Sequence, residues 1–131
     1  MALSGMTKME HVVDNINIAE RSALNMLTNQ DLALIEQVRE AYQKLYPISC
    51  TNCGYCMPCV NKIDIPRIFE IYNNAIAYSD TTTARFFYDM VKQEQRADQC
   101  QDCGECEEVC PQHIAIPEWL KKAHALLSPG K

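Results

Sequence analysis

No stretch of this 131-residue chain is apolar over the ~20 residues a helix needs to cross a bilayer, so no membrane partner is expected. Positive charge is also scarce. Lysine and arginine number 12 against 17 aspartates and glutamates, a formal net charge of −5, which argues against a nucleic-acid partner. Only four glycines are present, and no Gly-rich phosphate loop can be assembled from them. No nucleophile lies beside a base in a pattern that suggests catalysis. The start, Met1-Ala2-Leu3-Ser4-Gly5-Met6, lacks the basic and apolar regions of a secretory signal. A reducing, cytoplasmic location is therefore expected. Beyond residue 6 no segment alternates apolar and polar residues as a half-buried strand would, so the fold is expected to be all-α.

What the chain does have is eight cysteines, all in two short runs. The first holds Cys50, Cys53, Cys56 and Cys59; the second holds Cys100, Cys103, Cys106 and Cys110. In a reducing compartment such clusters read as metal ligands rather than disulfides. Crowding points the same way, since each cysteine would have to pair within, or across to, an equally crowded set. Thiolates are soft ligands that suit iron–sulfur clusters or zinc. Zinc-type C-x2-C pairs usually stand further apart within one site.

The two runs belong to an internal repeat. With Cys59 beside Cys110, Ile63 aligns with Ile114, Ile65 with Ile116 and Pro66 with Pro117. Upstream, Gly54 aligns with Gly104. Each copy is thus a cysteine loop leading through a proline into a helix, and two half-sites related by a pseudo-twofold follow. The glycines let the backbone take positive φ and approach a cluster closely. The four isoleucines are expected to wall the site from solvent. The copies differ at one step: Cys56 to Cys59 spans two residues and Cys106 to Cys110 spans three, and Val60 stands where Pro111 does.

Helices are expected at about 8–21, 28–46, 66–78, 83–96 and 117–127. Ser4 or Thr7 is placed to cap the first. Thr28 and Asp31 form a capping-box pattern at the second, whose Leu34, Val38, Ala41 and Leu45 share one face, widened by Ile35 and Tyr42. Phe86, Phe87, Met90 and Val91 are read as the apolar side of the fourth. The segment 128–131 is expected to fray. His11 and His124 read as surface residues. His113, aligned with Lys62, is not required as a ligand. Glu105, Glu107 and Glu108 read as a solvated face.

The second run, C-x2-C-x2-C-x3-C-P, resembles that of bacterial two-cluster ferredoxins. In those proteins the fourth cysteine of each run ligates the other cluster. The resemblance implies that Cys50, Cys53, Cys56 and Cys110 hold one [4Fe-4S] cluster, and that Cys100, Cys103, Cys106 and Cys59 hold the other. The 40 residues between the runs exceed what a compact small ferredoxin carries and point to an α-helical ferredoxin module.

A wider resemblance covers nearly the whole chain. Leu3-Ser4-Gly5-Met6, Met9-Glu10-His11-Val12-Val13-Asp14-Asn15, Leu27-Thr28, Leu32-Ala33-Leu34-Ile35-Glu36, Cys53-Gly54-Tyr55-Cys56-Met57-Pro58-Cys59 and Cys110-Pro111-Gln112-His113-Ile114 look like the C-terminal part of an iron–sulfur-containing aldo/keto reductase. That likeness implies that residues 1–27 are the end of a truncated (β/α)8 barrel, with its last helix, and that 28–131 are an α-helical ferredoxin-like domain. It implies that Ser4, Gly5 and Asn15 sit where the parent holds NADP. The barrel and its catalytic tyrosine, lysine, aspartate and histidine are absent, so this chain alone is not expected to be catalytic. An exposed apolar face over residues 9–18 would be left to dimerise or to meet the missing barrel domain.

The function expected is that of an electron-transfer module with two [4Fe-4S] clusters, belonging to an oxidoreductase and serving a redox partner. The alternative is a structural or interaction domain holding zinc or redox-silent clusters. Lewis-acid chemistry at a cluster is disfavoured, because eight cysteines for eight cluster positions leave no open iron.

Overall fold

The computed structural model describes residues 3–128, and among them every regular element is helical. The chain divides into two compact units, Met1–Gln37 and Val38–Lys131, and the division falls inside the second helix.

The first unit holds α1 (Met9–Arg21) and the start of α2 (Asn29–Leu45). Neither expected cap of α1 is used: Lys8 occupies the N-cap position and makes no side-chain cap. The Ser4 hydroxyl instead accepts a 3.0 Å hydrogen bond from the Asn15 amide. At α2 the capping box forms with Asp in place of Glu. Asp31 Oδ2 accepts from the Thr28 N–H at 2.8 Å, and Thr28 Oγ1 accepts from the Asp31 N–H at 3.2 Å. The Thr28 hydroxyl, then its N–H, hold the Asp31 carboxyl below its ordinary range. The apolar stripes are where the periodicity puts them, yet no residue of either helix is buried. Met9, Val13, Ile16 and Ile18 are all exposed, as expected for 9–18.

The second unit carries the core. Its elements are α3 (Ile65–Ala77), α4 (Thr81–Met90), two 3₁₀ turns (Gln93–Gln95 and Ala97–Gln99), the single-turn α5 (Glu105–Glu108) and α6 (Ile116–Leu127). Both α3 and α6 start with proline in the first turn, where its missing N–H costs no helix bond. These two helices pack together, with Ile68, Phe69, Ile71, Leu120, Ala123 and Leu127 buried. Tyr72 and Trp119 meet edge-on beside them, 5.8 Å between ring centroids.

The fourth helix departs from expectation in length and in face. It begins at Thr81, capped by Asp80, whose Oδ1 accepts from the Thr83 N–H at 3.0 Å. It stops at Met90 because Val91 turns extended. Its buried residues are Ala84 and Tyr88, whereas Phe86, Phe87 and Met90 are exposed. Val91, just past the helix end, is half-buried against the core, so hydrophobicity alone misplaces the other three. Small Ala84 permits close approach to the neighbouring helices, and Tyr88 is buried because its hydroxyl has partners. That hydroxyl accepts from the Ala97 N–H at 3.0 Å and lies 3.0 Å from His124 Nδ1. His124 is thus a half-buried, bonded residue and not a solvated one. Burial raises the Tyr88 phenol above its ordinary range. Ser128 is buried at the end of α6, so the expected fraying does not begin there; Pro129, Gly130 and Lys131 lie outside the described residues.

Tyr88→Phe should strand the buried Ala97 N–H without a partner. The expected loss is ~1–3 kcal/mol, the desolvation cost of one unsatisfied group. Urea unfolding should show a lower midpoint at unchanged slope. An unshifted midpoint would show that the hydroxyl is dispensable.

Candidate metal centre

Each cysteine run begins from a buried anchor. Ile48, two residues before Cys50, is 2% exposed. Its N–H donates to Asn73 Oδ1 at 3.1 Å and its C=O accepts from Asn73 Nδ2 at 2.8 Å. Asn73, on α3, is itself buried, so one amide side chain satisfies both main-chain groups of Ile48. Ahead of Cys100, the N–H of buried Ala97 donates to the Tyr88 hydroxyl, a single side-chain bond. Neither anchor was singled out by sequence. An asparagine in an apolar helix was the available signal for the first. Asn73→Ala should leave two main-chain groups unpaired, at ~1–3 kcal/mol each. Faster amide exchange at 48–50 with unchanged exchange in α6 would register it; unchanged exchange at 48–50 would sink it.

Past the anchors, the two loops repeat in backbone conformation. Asn52 and Asp102 have φ of 56° and 55°, and Gly54 and Gly104 have φ of 77° and 80°. Lys62 and His113 have φ of 62° and 50°. Positive φ recurs at three aligned positions, so the repeat read from the sequence extends to the local main-chain conformation. A side chain at Gly54 or Gly104 would find open space, so φ and not crowding explains glycine there. The Gly54 C=O accepts from the Met57 N–H, as the Gly104 C=O does from Glu107. The copies then separate. Residues 105–108 complete the helical turn α5, whereas the shorter first run passes through a cis Met57–Pro58 peptide to Cys59.

The eight thiols are free and gather in two sets of four. Cys50, Cys53, Cys56 and Cys110 line one narrow recess, walled by Ile65, Phe69, Ile114 and Ile116. Cys59, Cys100, Cys103 and Cys106 line another, of about 180 Å³, with Cys56 on its wall. Electrostatic coupling follows the same division: Cys56 feels Cys50, Cys53 and Cys110, and Cys106 feels Cys100, Cys103 and Cys59. The fourth cysteine of each run therefore stands with the other run's three. The shortened step does not prevent this for Cys59.

Burial is the first cause raising the Cys56, Cys100 and Cys106 thiols, with Cys106 pushed to about 11. Without metal these three are protonated at neutral pH, and loading must expel their protons. Cys53 and Cys103 are exposed and the other six half-buried. Among the described residues, no three of histidine, cysteine, aspartate or glutamate converge as ligands of one metal ion. A tetrahedral zinc would draw four sulfurs to ~2.3 Å from a single centre. A cubane takes one thiolate at each of four corners, and each recess is lined by four thiols that could supply them.

The remaining expected residues lie as follows. The isoleucine wall is in place, with Ile63, Ile65, Ile114 and Ile116 all buried. His113 is exposed, and His11 is half-buried, 4.0 Å from Glu10. Glu105 and Glu108 are exposed, and Glu107 is half-buried. In the first unit Ser4 and Asn15 are hydrogen-bonded to each other, and Gly5 has open space around it. No described helix is long and apolar enough to cross a membrane.

Residues 49–115, just over half of the chain, match the family model described as a 4Fe-4S dicluster domain. No curated protein and no solved structure matches the chain.

Proposed function

Because the chain belongs to the 4Fe-4S dicluster domain family, we propose that it is an electron-transfer module with the crossed ligand sets Cys50, Cys53, Cys56, Cys110 and Cys59, Cys100, Cys103, Cys106. The observation that carries this reading is the exchange of fourth cysteines between the two runs. Bound [4Fe-4S] clusters supply one-electron chemistry. The protein's part is to position and shield. Asn73 and Tyr88 fix where each run begins. The positive-φ turns wrap each loop around its three thiols. The buried isoleucines keep water from one side of each set, while exposed Cys53 and Cys103 bring each set to the surface where a redox partner can approach.

The larger protein is proposed to be an aldo/keto reductase-like oxidoreductase of the cytoplasm, with residues 1–27 as the end of its barrel. The Asn15–Ser4 hydrogen bond supports this, since it joins two positions that the likeness assigns to NADP. So does the exposed apolar face of α1, which suits a missing barrel or a second copy of the chain. Lacking the barrel, the chain is not expected to reduce carbonyls or to hold NADPH; saturable NADPH binding in a fluorescence titration would contradict this.

Anaerobic iron and sulfide analysis tests the central reading. About eight irons and eight acid-labile sulfides per chain, bleached by dithionite, are expected. Stoichiometric zinc without sulfide would overturn it. Clusters that dithionite cannot reduce would favour a structural role.

A further inference from the structure

The repeat places the two thiol sets in loops of nearly the same backbone, and the loops differ in charge. Asn52, Tyr55, Met57 and Pro58 stand where the second copy has Asp102, Glu105, Glu107 and Glu108. Every carboxylate of the second loop thus replaces a neutral residue of the first. Glu107 and Glu108 border neither recess. Asp102 and Glu105 weigh mainly on one. Asp102 Oδ1 lies 3.9 Å from Cys100 Sγ, and its Oδ2 takes a 2.6 Å ion pair from Lys121 on α6. Glu105 borders the recess of Cys59, Cys100, Cys103 and Cys106. Among the described residues, no charged side chain borders the recess of the other set.

Resting on the two-cluster reading, we propose that Asp102 and Glu105 act as positioning residues for charge, giving the set of Cys59, Cys100, Cys103 and Cys106 the lower reduction potential of the two. Reduction adds one negative charge to a cluster and makes or breaks no bond. A nearby carboxylate opposes that added charge, and net charge is one of the terms that set cluster potential. Thiol exposure does not distinguish the two sets, because each has one exposed and three half-buried thiols. Asn52 and Asp102 share φ within a degree, so their exchange alters charge with little change of backbone. Lys121 fixes the carboxylate and neutralises part of it; among the described residues no cation pairs with Glu105.

The full chain, loaded anaerobically and first checked for iron and sulfide, is titrated with dithionite under EPR detection. Two waves are expected. Asp102→Asn with Glu105→Gln should raise the lower wave and leave the upper in place. Lys121→Met should push the lower wave further down. Asn52→Asp should lower the upper wave alone. Two intact clusters with an unmoved lower wave in the double variant, or a shift confined to the upper wave, would overturn this inference and leave the two-cluster reading standing. Zinc without sulfide would overturn both.

Discussion

Cys110→Ser is expected to remove the cluster of the first run, although Cys110 lies in the second. Iron and sulfide should each fall from about eight to about four per chain. Alkylation followed by peptide mapping identifies the emptied set: Cys50, Cys53 and Cys56 should become reactive, while Cys59, Cys100, Cys103 and Cys106 stay protected. Cys59→Ser should give the mirror result. The physical basis is that Cys110 shares a recess with Cys50, Cys53 and Cys56, and Cys59 with the other three. Labelling of Cys100, Cys103 and Cys106 in the Cys110→Ser protein would mean that each run serves its own cluster.

Stripping both clusters should destabilise the second unit heavily. The runs have little structure of their own; apart from α5 they are turns and extended chain. The proposed crossed ligation would join residue 50 to 110 and residue 59 to 100, closing long loops. A single covalent closure of that length is worth about 4 kcal/mol in the chain-entropy picture. For a unit of this size each kcal/mol moves the midpoint by ~4–8 °C, so a fall of roughly 15–30 °C is expected. Circular dichroism melts of loaded and chelator-treated protein, both kept anaerobic, measure it. Midpoints within a few degrees of each other would show that helix packing alone holds the unit, and that the clusters are passengers in its stability.

These two experiments address features that were legible in the sequence to different degrees. The cysteine spacing, the prolines at 66 and 117 and the paired isoleucines are local signals, because each reports on a turn, a helix start or a buried wall within a few residues. The helices followed from periodicity, and α1, α2, α3 and α6 lie within two residues of their expected bounds. The fourth helix failed for an identifiable reason. Its phenylalanines are more apolar than Ala84, but what decides burial there is close approach and a partner for the Tyr88 hydroxyl. Those partners, Ala97 and His124, are 9 and 36 residues away, and no periodicity reports on them. The half-buried place of His124 beside Tyr88 is invisible to periodicity for the same reason.

The sequence alone puts eight soft candidate ligands in two copies of one loop-and-helix unit. Ligand type and local spacing are chemical facts, and they need no fold to be read. Only the tertiary structure decided that the fourth cysteines trade places in space, that Asn73 and Tyr88 hold the starts of the two runs, and that Asp102 and Glu105 bear on one set. Each of these depends on side chains brought together by the packing of α3, α4 and α6, across separations that a linear pattern cannot encode.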